Sequence, residues 1–145
     1  MAISFIELER LAPQGEAVVV GVNGTLVFDT LASSSGTQIS YDDATGIITF
    51  QEAGYYYMDW YIAPQFGLTT DGSNWAIQTT IGGLSIIGSS HTKVSVTTGF
   101  GLINAQAGET ARLVNISDGA ISLSKVVKSK AGFIAYGIAN LIASS

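Results

Sequence analysis

Apolar and polar residues alternate with a period of two along most of the chain, and small clusters of Gly, Asn, Asp and Ser interrupt the alternation at short intervals. Successive side chains of a strand point to opposite faces, so this pattern predicts an all-β sandwich or barrel. From residue 17 the reading is "AVVVGV", a turn at Asn23-Gly24, "TLVFDT", a polar loop "LASSSG", "TQISYD", a turn at "DDATG", "IITFQ", a turn at "EAG", and an aromatic strand from Tyr55 to Ala63. A loop "PQFGLTTDGS" follows, and then "NWAIQTTI" and "LSIIGSS" flank Gly82-Gly83, a hairpin turn suited to glycine's tolerance of positive φ. The remainder reads "TKVSVTTGFGLINA", a turn at "QAGE", "TARLVNIS", a turn at Asp118-Gly119, "AISLSKVV" and "GFIAYGIANLI", which makes about ten strands. In the first 16 residues Ile6, Leu8 and Arg10 alternate with Glu7 and Glu9, predicting an N-terminal strand or arm attached to a domain over 17–145. With no linker or long-period repeat, the whole chain is expected to be one domain.

The aromatic strand is unusual because both of its faces are bulky. Even positions place Tyr56, Met58, Trp60 and Ile62 on one side, and odd positions place Tyr55, Tyr57, Asp59 and Tyr61 on the other. The all-apolar even set is expected to fill the sandwich core. Three phenols and a carboxylate then face outward, an arrangement that is costly in water. Against another subunit it is favourable, because a tyrosine buries a large body while its hydroxyl finds a partner.

Composition strengthens the expectation of an assembly. Charged residues make up 12% of the chain and hydrophobic residues 47%, too little charge to coat a monomer comfortably. The formal net charge is −5 and the basic residues are dispersed except for Lys125, Lys128 and Lys130, which argues against nucleic-acid binding. The lysine trio reads as a solvated edge or loop that discourages edge-to-edge pairing. Cysteine is absent, so disulfides and thiolate metal sites are excluded. The opening "MAISFIELER" has acids where an export signal would carry positive charge, and no stretch reads as a transmembrane helix, so no membrane insertion is expected.

Four segments carry a family resemblance: "LVFDT" at 26–30, "YDDATGIITFQEAGYYYMDWYI" at 41–62, "AGETARLVNIS" at 107–117 and "GFIAYGI" at 132–138. In this order they resemble the C1q/TNF-like jelly roll over most of residues 17–142, and the 41–62 block is the specific part. Among its branches the chain is most similar to the C-terminal domains of bacterial collagen-like spore-surface (exosporium) glycoproteins, although it lacks their collagen stalk. The resemblance implies a ten-stranded jelly-roll sandwich that forms a compact homotrimer, with the aromatic strand near the threefold axis. Tyr55, Tyr57, Asp59 and Tyr61 would then line the trimer interface, Asp59 accepting hydrogen bonds from neighbouring tyrosine hydroxyls.

Catalytic chemistry finds little support. The single histidine, His91, sits in "SSHTK" among serines without a nucleophile-elbow pattern. "GFGLINAQAG" is a loose imitation of a phosphate loop, lacking the Lys-Ser/Thr ending and a following helix. Asp42-Asp43 is the only adjacent acid pair, and it belongs to a turn. Calcium is conceivable in "TTDGSN" through Asp71 and Asn74, but a hard cation wants several carboxylates and the segment has one. Trp75, Phe66 and the tyrosines could stack on sugars, yet Trp75 opens an alternating strand and is expected to pack beneath the preceding loop. Asn23-Gly24-Thr25 and Asn115-Ile116-Ser117 match the glycosylation acceptor pattern and read as turn and strand residues.

The expected function is a non-enzymatic trimeric head that serves structure and assembly on a bacterial cell or spore surface, without a cofactor. Its partners would be its own copies and other surface-layer proteins. The alternative is a receptor- or glycan-binding head of a surface or phage fibre.

Overall fold

The computed structural model describes residues 4–12, 18–92, 96–123 and 134–143, and for 11–12, 65–66 and 134–143 it describes the backbone. The strands in chain order are β1 (Ser4–Ala12), β2 (Val19–Val20), β3 (Thr30–Ser35), β4 (Ile39–Asp42), β5 (Ile47–Phe50), β6 (Gly54–Ile62), β7 (Pro64–Gly67), β8 (Ser73–Thr79), β9 (Gly83–Ser90), β10 (Thr97–Ala105), β11 (Thr110–Asn115), β12 (Ile121–Leu123) and β13 (Ile134–Ala143). Ten of them form two five-stranded sheets of order β10-β6-β13-β1-β3 and β4-β5-β11-β8-β9, and β2-β12-β7 form a small third sheet. The pairings within them are antiparallel. The chain crosses from one large sheet to the other after β3, β5, β6, β9, β10 and β11, the connectivity of a jelly roll.

The core lies between the large sheets. Leu8, Met58 and Ile62 face Phe50, Trp75, Ile77 and Leu113 across it, and all are buried. Each such side chain contributes about 1.5–3 kcal/mol by leaving water. The Phe50 and Tyr56 rings meet with centroids 4.5 Å apart and planes tilted by 46°. Trp75 belongs to this core and does not merely shelter beneath the preceding loop; its indole N–H donates to Ser73 Oγ at 3.0 Å.

Three segments differ from the sequence reading. "LASSSG" is not a loop: Thr30–Ser35 forms the edge strand β3, pairing Phe5 with Ser35 and Glu7 with Ser33. A polar edge strand needs only a backbone partner and shows no apolar period. "PQFGLTTDGS" likewise begins with a strand, β7, which pairs with β12. Conversely, most of "TLVFDT" lies outside any ladder, although Leu26 and Phe28 are buried as alternation requires. Thr25 makes an isolated bridge to Val114, Leu26 N–H donates to Leu113 O, and Phe28 N–H donates to the Tyr41 hydroxyl at 2.7 Å. That hydroxyl in turn donates to Phe28 O at 2.8 Å, so one phenol completes both backbone groups that a strand would have satisfied. Burial first, with nearby acids, pushes the Tyr41 pKa up to about 12, opposed by the Phe28 hydrogen bond.

The turn residues behave as their chemistry requires. At "DDATG", Asp42 Oδ1 accepts from Ala44 N–H at 2.9 Å and Gly46 takes φ 78°, the left-handed conformation a β-carbon disfavours. Asn23, at φ 62°, occupies the same region in the Gly21–Gly24 turn.

Candidate functional site

β6 is the organising element of the first sheet. It lies between β10 and β13, so both of its edges are paired, and its alternation decides what the sheet shows to the core and to solvent. Tyr56, Met58, Trp60 and Ile62 are buried. The Tyr56 hydroxyl donates to Glu52 O at 2.5 Å, and burial raises its pKa against the effect of that bond. Trp60 reaches the seam where β10 and β9, the edges of the two large sheets, approach each other. Its ring needs glycine on both sides: a Cβ on Gly99 would lie 2.6 Å from the indole, and one on Gly88 would lie 2.7 Å from it.

Tyr55, Tyr57, Asp59 and Tyr61 occupy the outer face of the same strand. Tyr55 is 56% exposed and Tyr57 38% exposed, while Asp59 and Tyr61 are half-buried and already engaged within the chain. The outer face continues onto β10, where register places Thr98 opposite Tyr61, Phe100 opposite Asp59, Leu102 opposite Tyr57 and Asn104 opposite Tyr55. Phe100 is 75% exposed and Leu102 64% exposed. Together with Tyr57, Asp59, Tyr61 and Thr98, Phe100 rims a shallow depression of about 290 Å³ that Trp60 and Gly99 also line.

Sequence reasoning missed Phe100 and Leu102. The signal was the alternation Gly99-Phe100-Gly101-Leu102: the glycines face inward, because Trp60 and Ile86 occupy the space a side chain would need, and the bulky residues are left outside. Large apolar side chains ordinarily mark the inward face, and here the partner strand's tryptophan reverses that assignment.

The other candidate residues are dispersed. His91 lies exposed in a bend after β9, and among the described residues no hydrogen bond joins it to a serine or an acid. Asp42 is engaged in its own turn. Asp71 and Asn74, considered for calcium, help tie their loop to the Asp118 turn. Asp118 N–H donates to Asp71 Oδ1 at 3.3 Å, Asn74 Nδ2 donates to Asp71 O at 3.1 Å, and the Asp118 carboxylate accepts from Thr70 N–H at 2.8 Å and from the Thr70 hydroxyl. Asn115 is fully buried: Nδ2 donates to Val20 O and Gly119 O at 3.0 and 3.1 Å, and Oδ1 accepts from Ser117 N–H at 2.9 Å. The folded chain therefore has no room for a glycan there. The Phe66 side chain and the lysine trio Lys125, Lys128 and Lys130 lie outside the described residues. No helix among the described residues is long and apolar enough to cross a membrane.

No family model matches the sequence, and no curated protein does. Solved structures do match its shape. The Eiger TNF structure from S. frugiperda superimposes with a TM-score of 0.70 at 14% identity, covering 100% of this chain and 94% of that one. The globular domain of the zebrafish complement 1qA protein gives 0.68 at 14% identity, with 99% and 98% covered. Murine APRIL, in its pH 8.0 crystal structure, gives 0.66 at 9% identity, with 99% and 100% covered. The fold is accordingly the C1q/TNF-like jelly roll expected from the sequence.

Proposed function

We propose that this chain is a non-enzymatic head domain that assembles as a homotrimer through the outer face of β6 and β10, and that the trimer serves as a structural module on a bacterial cell or spore surface. The observation carrying the assembly is the continuous outward face of Tyr55, Tyr57, Phe100 and Leu102 on two adjacent strands. A scattered exposed leucine is ordinary, whereas aromatic and aliphatic side chains in register across two strands, on a chain with 12% charged residues, favour a partner surface. The composition supports a second copy of the same chain as that partner, since both sides of such a contact would be equally poor in charge. Tyrosine is among the side chains that contribute most at the centre of interfaces, and phenylalanine is enriched there. The bacterial surface setting is proposed from the resemblance of segments such as 41–62 to exosporium glycoprotein domains.

Light scattering at micromolar concentration tests this directly. A particle of three times the chain mass is expected, and a monomer would overturn the reading. The setting is tested separately, by locating the protein with antibody on intact cells and spores of the source organism.

A further inference from the structure

The second large sheet carries an arginine that has no opposing charge among the described residues. Arg112, on β11, lies on the outer face, since its neighbours Ala111 and Leu113 point into the core. Its Nε donates to Gln78 Oε1 at 2.8 Å, and its Nη1 donates to Asn23 O at 3.0 Å and Thr25 Oγ1 at 2.6 Å. All three acceptors are neutral, and among the described residues Arg112 has no carboxylate partner. The guanidinium is therefore fixed in place while its charge and the two hydrogens of Nη2 remain unspent.

Beside it is a depression of about 400 Å³ lined by Ile47, Gln78, Thr79, Thr80, Thr110 and Arg112. Among the described residues no acid lines it, although the chain has a net charge of −5. Gln78 spends its carbonyl on Arg112 and keeps its amide N–H groups, and the Thr110 hydroxyl makes no hydrogen bond among the described residues. The depression thus gathers one fixed cation, an amide donor, hydroxyls and a single aliphatic wall. Its size suits a small ring, at the lower end of the range for ligand pockets.

We propose that this depression binds an acidic sugar residue, a uronic acid or a sialic acid. Arg112 Nη2 holds the carboxylate, Gln78 and Thr110 meet ring hydroxyls, and Ile47 supports the C–H face. With Nε and Nη1 already committed, the guanidinium cannot form the two-nitrogen fork that clamps a bare anion most strongly. The surrounding amide and hydroxyl groups are what make a hydroxylated anion the better ligand. The site lies on the sheet opposite the aromatic face, so it goes beyond assembly and stays open in a trimer built through β6 and β10. Three copies on one particle would add avidity to weak single-site binding.

The test is a titration of the full chain, followed by amide chemical shifts, with glucuronate and N-acetylneuraminate, against glucose, N-acetylglucosamine and inorganic sulfate. Saturable shifts around Ile47, Gln78 and Arg112 are expected with one or both acidic sugars, the tighter of the two identifying the class. Neutral sugars and sulfate should bind at least tenfold more weakly. Arg112→Gln should abolish binding. Thr110→Val, which leaves the arginine and its contacts untouched, should weaken it severalfold and decides the matter if Arg112→Gln does not fold. The proposal is overturned if neither acidic sugar binds, if neutral sugars bind equally, if sulfate binds as well as the acidic sugars, or if a folded Arg112→Gln variant binds unchanged. Light scattering of the same variants separates this outcome from any failure of the trimer reading.

Discussion

Trp60 and Gly99 occupy one another's space: the indole fills the volume that a side chain at residue 99 would take, with a β-carbon there falling 2.6 Å from two ring atoms. The ring is buried and closed in by the backbone of β9 as well, so it has nowhere to retreat. Gly99→Ala should destabilise the protein by about 2 kcal/mol or more, in the range of overpacked cores. Gly101→Ala is the control. Its β-carbon would meet only the Ile86 side chain, at 3.2 Å, and the cost should be clearly smaller in urea unfolding.

The outer partner of that seam concerns assembly. Phe100→Asp and Tyr57→Ala should weaken the trimer by about 2 kcal/mol or more per interface, the scale of an interfacial hot spot, while leaving monomer stability nearly unchanged. Asp59→Leu should also weaken it if the carboxylate accepts hydrogen bonds from neighbouring chains. Sedimentation velocity over a concentration series reads the shift. Variants that remain fully trimeric at the lowest concentration would remove β6 and β10 from the interface.

Tyr41 supplies a third test. Tyr41→Phe keeps the ring and removes the hydroxyl that pairs with both Phe28 N–H and Phe28 O. Leaving those groups unsatisfied should cost about 1–3 kcal/mol, seen as a lower urea midpoint with an unchanged slope.

Acid should destabilise the fold through its turns. Burial pushes the Glu109 pKa up, but hydrogen bonds from Gln106 N–H, the Thr79 hydroxyl, Gly82 N–H and Ile81 N–H outweigh it and hold the carboxyl below its ordinary 4.5. Asp42 is held below 3.8, first by Ala44 N–H, and Asp118 below 3.8, first by the Thr70 hydroxyl. Groups depressed in the folded state give stability that is complete above their unfolded values and is lost as pH falls through the folded ones. The melting temperature should therefore hold down to about pH 5 and drop steadily below it. Glu109→Gln should be less stable at neutral pH and lose less on acidification; an equal loss would show that Glu109 is not among the responsible groups.

Much of the fold was legible in the sequence because β6 alternates without interruption. Tyr56, Met58, Trp60 and Ile62 turn inward together, and the turns around Gly46, Asn23 and Gly108 carry residues that tolerate their backbone angles. What escaped were features set by partners distant in sequence. β3 is polar and exists through its pairing with β1, and Phe28 is excluded from a ladder by a phenol thirteen residues away. Phe100 and Leu102 face outward because Trp60, forty residues earlier than Phe100, leaves room only for glycine on the inner side. Arg112 is one of the dispersed basic residues, and nothing local shows that its three acceptors are all neutral.

The placement of β13 also governs how the molecule comes into being. This strand is made after the other twelve, yet it belongs in the middle of its sheet, between β6 and β1, and it pairs Ala143 with Ser4. Until it emerges from the ribosome, β1 and β3 have no hydrogen-bonded connection to β6 and β10, and the nascent sheet is split down its centre. Folding of the first sheet thus waits for its last strand and has high contact order, slow by the standards of small domains. The aromatic face, by contrast, lies on β6 and β10, which pair directly with each other, so its two strands are available to one another once synthesis has passed residue 105.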